Sequence, residues 1–437
     1  MRFVIENFGC QMNDHDMEKM GSVLIDHGHL PGSIEDADIV IVNTCCIREK
    51  AEQKFYSLMG RLQRAKSKRG LILGVTGCIA EQEKEGIFER LPFVDFSLGP
   101  SNIHRIAEAV ERAAGSARTF AFGDNGRSLS LTIRPHNTRT GIKGYVTIMK
   151  GCNNFCSYCV VPYVRGREES RESGDILAEI REMADRGIVD VTLLGQNVNS
   201  YNNGSDDLSF PELLRKIDAI PGISRLRFVT SHPKDISQEL IECFGTLRTL
   251  CESIHLPFQS GSDRILALMN RGYTASEYLR KVQALKDQCP GIALTADCIV
   301  GFPGEDEDDF EATMRLMETV GFDGVFSFIY SARRFTAAAS LPGRVPADVA
   351  HERLSRFQTR QRAITLESNR QMAGTHAEIL VEGQSKNSPD ELSGRTRTGK
   401  IVNFKGDRSM VYKLVEVDII KGYANSLRGE LSKAPGR

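Results

Sequence analysis

The stretch GCNNFCSYC places Cys152, Cys156 and Cys159 in a C-x3-C-x2-C arrangement directly after an apolar run that reads as a strand. Three thiolates at that spacing on one loop can hold three irons of a [4Fe-4S] cluster and leave the fourth iron free to bind a small molecule. Zinc is the alternative occupant, but a structural zinc site takes four protein ligands, so a fourth would have to come from elsewhere. A second triplet is less obvious. Cys10, Cys45 and Cys78 each stand at the end of a different apolar run, FVIENFGC, ADIVIVNTC and GLILGVTGC. A lone cysteine in such a place is commonly a small buried hydrophobe. Three at one sheet edge repeat the same arithmetic of three ligands for four irons.

That shared edge follows from the elements around the cysteines. Apolar β-branched runs alternate with helical patterns beginning at Asp14, Arg48 and Glu81, which predicts a doubly wound parallel sheet over residues 1–113. Parallel strands bring their carboxyl ends to one side, where ligands of open α/β sheets bind. Residues 114–143, rich in Gly, Ser, Thr and Arg, read as a linker. From 144 to 335 six further strand-helix units end on the polar stretches GC, GQN, TSH, QS, GFPGE and YS, which predicts a partial (βα)6 TIM-like barrel with its chemistry at the strand C-termini. Residues 336–374 read as a helical connection, and 375–437 as a small all-β barrel with a slight excess of Lys and Arg.

The chain has 437 residues, 41% of them hydrophobic and 26% charged, with a formal net charge of −1. This excludes a histone-like polycation but not RNA binding, which needs only a local basic surface. No apolar run reaches the length of a membrane span, and the start MRFVIENFGC lacks the features of a signal peptide, so a cytoplasmic protein with no membrane contact is expected. Eleven cysteines in a reducing compartment point to metal or redox chemistry rather than a disulfide framework.

Other polar stretches supply candidate contacts for a cofactor or substrate. Gly195, Gln196 and Asn197 combine close backbone approach with amides. Gln259, Ser260, Asp297 and Gly301 fall along the same predicted edge, where a ribose and an adenine could be held. GRTRTGKIVNFKG sets Arg395, Arg397, Lys400 and Lys405 beside Phe404, a combination of phosphate-binding cations with a stacking ring. GEDEDDFE reads as a helix N-terminus whose carboxylates suit the macrodipole, and His232 and His255 as structural histidines.

The motif around Cys152 resembles that of the radical S-adenosylmethionine (SAM) enzymes. NFGCQMNDHD, NTCCIREKA and GVTGCIAEQE resemble the N-terminal domain of the methylthiotransferase family within that superfamily. GCNNFCSYCVVPYVRGREESR resembles that family's radical SAM segment, and the C-terminal barrel resembles a TRAM RNA-binding domain, so the likeness spans essentially the whole chain. NTC-x-IREKA and VVPYVRGREESR are similar to the tRNA-modifying branch rather than the branch that modifies a ribosomal protein.

The resemblance implies two [4Fe-4S] clusters. Cys10, Cys45 and Cys78 would hold an auxiliary, sulfur-donating cluster, and Cys152, Cys156 and Cys159 the radical-generating one. Two SAM molecules per turnover would serve as methyl donor and radical source, with Tyr158 against the adenine, and Asn13 and Arg165 would touch substrate. The product would carry a methylthio group on carbon 2 of N6-isopentenyladenosine beside the tRNA anticodon. The alternatives are another target (a threonylcarbamoyl-adenosine or a ribosomal-protein aspartate) or a non-catalytic iron-sulfur RNA-binding protein. Expected partners are a tRNA anticodon stem-loop, an electron donor such as flavodoxin or ferredoxin, and a sulfur source or iron-sulfur carrier, acting on a monomer. Cys46 stands where the family pattern has serine and is expected to be a bystander. The family's SARPGTPAA is here SARRFTAAA, with Arg334, Phe335 and Ala337 in place of Pro, Gly and Pro. That change frees the backbone and adds a bulky ring.

Overall fold

The computed structural model describes residues 1–45, 49–123, 131–135, 141–386 and 388–432. Cys46, and residues 124–130 and 136–140 of the expected linker, lie outside the described residues.

The N-terminal unit is a six-stranded, wholly parallel sheet: β1 (Arg2–Phe8), β2 (Leu30–Pro31), β3 (Ile39–Thr44), β4 (Ile72–Gly77), β5 (Phe96–Leu98) and β6 (Thr119–Ala121), ordered β2-β1-β3-β4-β5-β6. Helices Gln11–Asp26, Glu49–Arg69 and Ile106–Ala114 supply crossovers. Every residue of β3 is buried, because a central parallel strand is covered on both faces. The sheet extends beyond residue 113, since β6 lies inside the expected linker and pairs with β5. Three residues are too short a run for periodicity to reveal.

The central unit begins with β7 (Lys143–Thr147), followed by a small antiparallel pair, β8 (Met149–Lys150) and β9 (Glu169–Ser170). Then come β10 (Asp190–Leu194), β11 (Arg225–Phe228), β12 (Ser253–His255), β13 (Ala293–Val300) and β14 (Gly324–Ile329). β7, β10 and β11 form one parallel sheet and β12, β13 and β14 another, joined by a bridge between Leu226 and Leu250. Six parallel strands in sequential order make the expected partial barrel, and its surrounding helices share one large apolar core with the strands. Helix Glu307–Val320 opens with a capping box between Asp306 and Asp309, so the acidic run is a helix start.

After the 25-residue helix Ala347–Gln371 come β15 (His376–Gln384), β16 (Glu391–Arg395), β17 (Ile401–Lys405), β18 (Leu414–Gly422) and β19 (Leu427–Leu431). They close a barrel in the order β15-β16-β17-β19-β18. It is fastened to the strand starts of the central unit. Arg225, fully buried at the beginning of β11, donates to the Arg395 carbonyl (2.8 Å) and the Glu378 carboxylate (2.9 Å). Arg227 donates to the Arg397 carbonyl at 2.8 Å. Among the described residues no helix is long and apolar enough to cross a membrane.

Candidate active site: two cysteine triplets

Pairing across β1, β3 and β4 sets Phe8 opposite Thr44 and Thr44 opposite Gly77. Cys45 and Cys78 therefore leave adjacent strands at the same level, and Cys10 follows just beyond the end of β1. A ladder of amides and hydroxyls stitches these three ends together. Asn43 Nδ2 donates to the Asn13 carbonyl (2.9 Å), Asn13 Nδ2 to the Thr44 carbonyl (3.1 Å), and Thr76 Oγ1 to Asn43 Oδ1 (3.3 Å). The Cys10 thiol donates to Asn13 Oδ1 at 3.3 Å. Gly77, at φ +92°, lies so close to β3 that a Cβ would meet the Thr44 carbonyl at 2.4 Å. Asn13, expected to touch substrate, is instead fully buried in this ladder.

Cys152, Cys156 and Cys159 share one loop after β8, with the Cys159 amide donating to the Cys156 carbonyl at 2.9 Å. Burial pushes the Cys152 thiol up to about 11 and the Cys159 thiol up to about 12, and the nearby Cys156 adds to both. Iron must therefore displace protons that the protein alone holds. Among the described residues no three His, Cys, Asp or Glu side chains converge on one ion position. Tetrahedral zinc needs its sulfurs about 3.8 Å apart. Three cysteine thiolates per triplet, with no fourth protein ligand among the described residues, match the donor set of a [4Fe-4S] cluster that keeps one iron open.

Two residues that spacing gave no reason to select complete the second triplet. Arg271 is buried and donates to Cys156 Sγ and to Tyr158 Oη, each at 3.3 Å, and to the Pro257 carbonyl at 3.0 Å. His232 accepts from the Lys234 amide through Nδ1 (3.2 Å), so its proton sits on Nε2, 4.0 Å from Cys156 Sγ. Burial, with Arg271 beside it, lowers the imidazole to about 2 and keeps it neutral. Both residues come from loops remote in sequence.

Arg165 joins the triplets. It follows the short helix Val161–Val164, which starts two residues after Cys159, yet its guanidinium pairs with Asp16 at 2.9 Å and lies within electrostatic reach of Cys78. Val160 and Val164 pack in one apolar cluster with Cys78, Ile79 and Ala80. Cys10 lies within electrostatic reach of Arg165 and Cys78. Arg165 was expected at substrate; it is buried between the two loops.

The remaining candidates divide by what their polar atoms do. Gln196 accepts from the Gly151 amide beside Cys152, and Gly195 has room for no Cβ, which would meet Met149 at 2.5 Å. Asn197 donates to Asp235 at 2.8 Å while its buried Oδ1 lacks a partner. Gln259, held at φ +65°, likewise has a buried Oε1 with no partner. Unmatched buried oxygens of this kind cost about 1–3 kcal/mol each and suit a ligand that donates hydrogen bonds, as an ammonium or ribose hydroxyl does. Asp297 lies 3.4 Å from His255 Nε2 on the half-buried face of β13. Ser260 is spent on Thr313 and the Ser262 amide, and Gly301 gives close passage to Ala350, so both serve packing.

The expected RNA patch on the small barrel is mostly consumed by docking. Arg397 binds the Glu252 carboxylate and the Leu250 carbonyl, and Lys400 pairs with Asp323 at 2.6 Å. Phe404 points into the barrel core because alternation along β17 turns it inward, so it is no stacking platform. Arg395 pairs with Glu382 at 2.9 Å, and Lys405 is exposed.

Residues 2–99 match the model of the uncharacterized protein family UPF0004, 146–317 that of the radical SAM superfamily, and 370–432 that of the TRAM domain. The tRNA-2-methylthio-N(6)-dimethylallyladenosine synthase of Geobacter metallireducens (strain ATCC 53774 / DSM 7210 / GS-15) is 52% identical over 433 residues, covering 98% of each chain. That of Syntrophus aciditrophicus (strain SB) is 49% identical over 98% of this chain and 94% of its own. The chain belongs to the tRNA-2-methylthio-N(6)-dimethylallyladenosine synthase family. Among solved structures, the radical S-adenosylmethionine methyltransferase TsrM of Kitasatospora setae, with cobalamin and a [4Fe-4S] cluster bound, matches with a TM-score of 0.58. It shares 13% identity across 90% of this chain and 77% of that one, a likeness of fold. The three matched segments are the N-terminal sheet, the partial barrel and the closed small barrel.

Proposed function

We propose that the chain adds a methylthio group to carbon 2 of N6-isopentenyladenosine beside the anticodon of tRNA, using two [4Fe-4S] clusters whose open irons face one chamber. Cys10, Cys45 and Cys78 hold the auxiliary cluster, and Cys152, Cys156 and Cys159 the radical-generating one. When bound, the clusters and two SAM molecules supply the transferred sulfur, the methyl group and the radical.

The observation that carries this reading is Arg165. A side chain six residues beyond Cys159 pairs with Asp16 on the helix that follows Cys10, and Val160 and Val164 pack in one cluster with Cys78, so the two triplets lie on adjoining loops, as a transfer between them requires. The rest of the chain's contribution is positioning. Asn197 Oδ1 and Gln259 Oε1, both without partners, would accept from donors of a bound SAM; Gln196 fixes the cysteine loop through the Gly151 amide, and Arg271 steadies Tyr158, which would lie against the adenine. Asp297 adds a further acceptor on the same strand edge. Lys405, exposed at the end of β17, would meet the RNA backbone. The enzyme acts as a cytoplasmic monomer, reduced by a flavodoxin- or ferredoxin-like donor and resupplied with sulfur by a carrier.

The test is mass spectrometry of tRNA nucleosides after anaerobic incubation with reconstituted protein, SAM and reductant. The expected result is isopentenyladenosine gaining the mass of a methylthio group; modification of threonylcarbamoyl-adenosine instead would replace the target.

A further inference from the structure

Phe335 is one of the three residues by which SARRFTAAA departs from the family wording, and its surroundings are unusual in three ways. Its backbone has φ +69°, a conformation L-residues avoid because Cβ crowds the neighbouring carbonyl and glycine adopts freely. Its ring is 60% exposed, so no core packing explains a phenylalanine at that point. It also lies beside a second exposed ring, Tyr163, with centroids 6.2 Å apart, and Tyr163 meets Phe155 edge-on at 6.1 Å.

This row of rings belongs to the active-site edge. Phe155 lies between Cys152 and Cys156, Tyr163 lies four residues after Cys159, and the Ala338 amide donates to the Ser157 carbonyl at 2.8 Å, fixing the Phe335 segment to the cysteine loop. Cations flank it. The exposed Arg167 sits 4.6 Å over the Phe155 ring, and the exposed Arg334, the residue before Phe335, is ion-paired with Glu83 at 3.4 Å. Exposed aromatic faces bordered by arginines are the chemistry that receives unpaired nucleobases and their phosphates. The small barrel has no such surface at its own expected patch, where Phe404 is internal and Arg397 and Lys400 are engaged.

We propose that Phe335 and Tyr163 form a stacking platform for an unpaired base of the RNA loop next to the target adenosine, and that Phe335 is kept at a strained backbone position for that purpose. This rests on the functional reading above. It also predicts two effects of opposite sign for one substitution: removing the ring weakens RNA binding while relieving the backbone.

The full-length protein, reconstituted anaerobically, is compared with F335G and F335Y. The probes are an anticodon stem-loop RNA carrying isopentenyladenosine and a fully paired hairpin of equal length. F335G is expected to bind the stem-loop about tenfold more weakly, to bind the paired hairpin unchanged, and to melt no lower than wild type. F335Y is expected to bind the stem-loop within about twofold of wild type. Unchanged stem-loop binding by F335G, equal loss for both RNAs, or a lower melting temperature overturns the platform. Wild-type protein that binds through Phe335 yet forms no methylthio product would sink the functional reading and support the platform. Methylthiolation with wild-type binding by F335G does the reverse.

Discussion

At the scale of single residues, the proposed chemistry rests on side chains that donate to the cysteine sulfurs as well as on the cysteines themselves. Hydrogen bonds to the sulfurs tune an iron-sulfur potential, and a buried cation favours the more negative, reduced state. Arg271 is both, at 3.3 Å from Cys156 Sγ. Arg271→Gln should leave the iron content near wild type and lower the reduction equilibrium about tenfold, equivalent to about 59 mV for one electron. A redox titration followed by electron paramagnetic resonance reads this directly; an unshifted potential would reduce Arg271 to a packing role. The placement of the six cysteines, three at the ends of neighbouring strands and three on one loop, was legible in sequence because spacing and strand-end position are local signals. Arg271 and His232 were not, since nothing local in NRGY or TSHP distinguishes a residue beside Cys156 from an ordinary loop residue. Asn13 and Arg165 were assigned to substrate because burial cannot be read from a motif.

At the scale of elements, the cysteine loop leaves β8 through Gly151, at φ +74°, where a Cβ would stand 1.9 Å from the Arg167 carbonyl. Backbone cannot yield as a flexible side chain can, so Gly151→Ala should cost on the order of 2–4 kcal/mol and reduce iron at the second triplet. Denaturant melts and iron assay check both parts. Helix Gln11–Asp26 behaves differently, because it turns a polar face onto the central unit. His15 Nδ1 lies 2.6 Å from Thr147 Oγ1, and Lys19 is buried with Asp16 and Glu179 in reach. Burial lowers the Lys19 ammonium from 10.5 to about 8. Between those two values the unfolded chain binds the extra proton, so stability rises with pH through that window, by on the order of 3 kcal/mol from this group. Lys19→Met should remove that part of the rise, as denaturant midpoints at the two ends of the window will show. β1, β3 and β4 of the sheet and the six strands of the partial barrel were legible as apolar runs, whereas β16 (ELSGR) and β19 (LRGEL) were not, because strands of so small a barrel alternate inward residues with charged ones.

At the scale of the whole molecule, three units are held by polar seams whose partners lie far apart in sequence. The small barrel docks through Arg225, which has no exposed surface and three hydrogen bonds across the seam. Deleting the guanidinium removes all three bonds at about 0.5–1.5 kcal/mol each, while Glu378, 34% exposed, stays solvated. Arg225→Ala should therefore loosen the barrel, seen as faster amide exchange in β15 and β16 with β3 and β4 unchanged. Basic composition in GRTRTGKIVNFKG suggested an RNA surface, but the same guanidinium chemistry that grips phosphate also grips carboxylates and carbonyls, and docking uses most of it.

The central claim is that two cubes lie on adjoining loops and face one space. Electron paramagnetic resonance of the anaerobically reconstituted, dithionite-reduced protein tests it, beside variants in which either triplet is replaced by alanine. The account predicts about eight irons in the parent and about four in each variant, with the parent spectrum broadened by spin coupling that neither variant shows. About four irons in the parent, or a parent spectrum equal to the sum of the two variants, would contradict it.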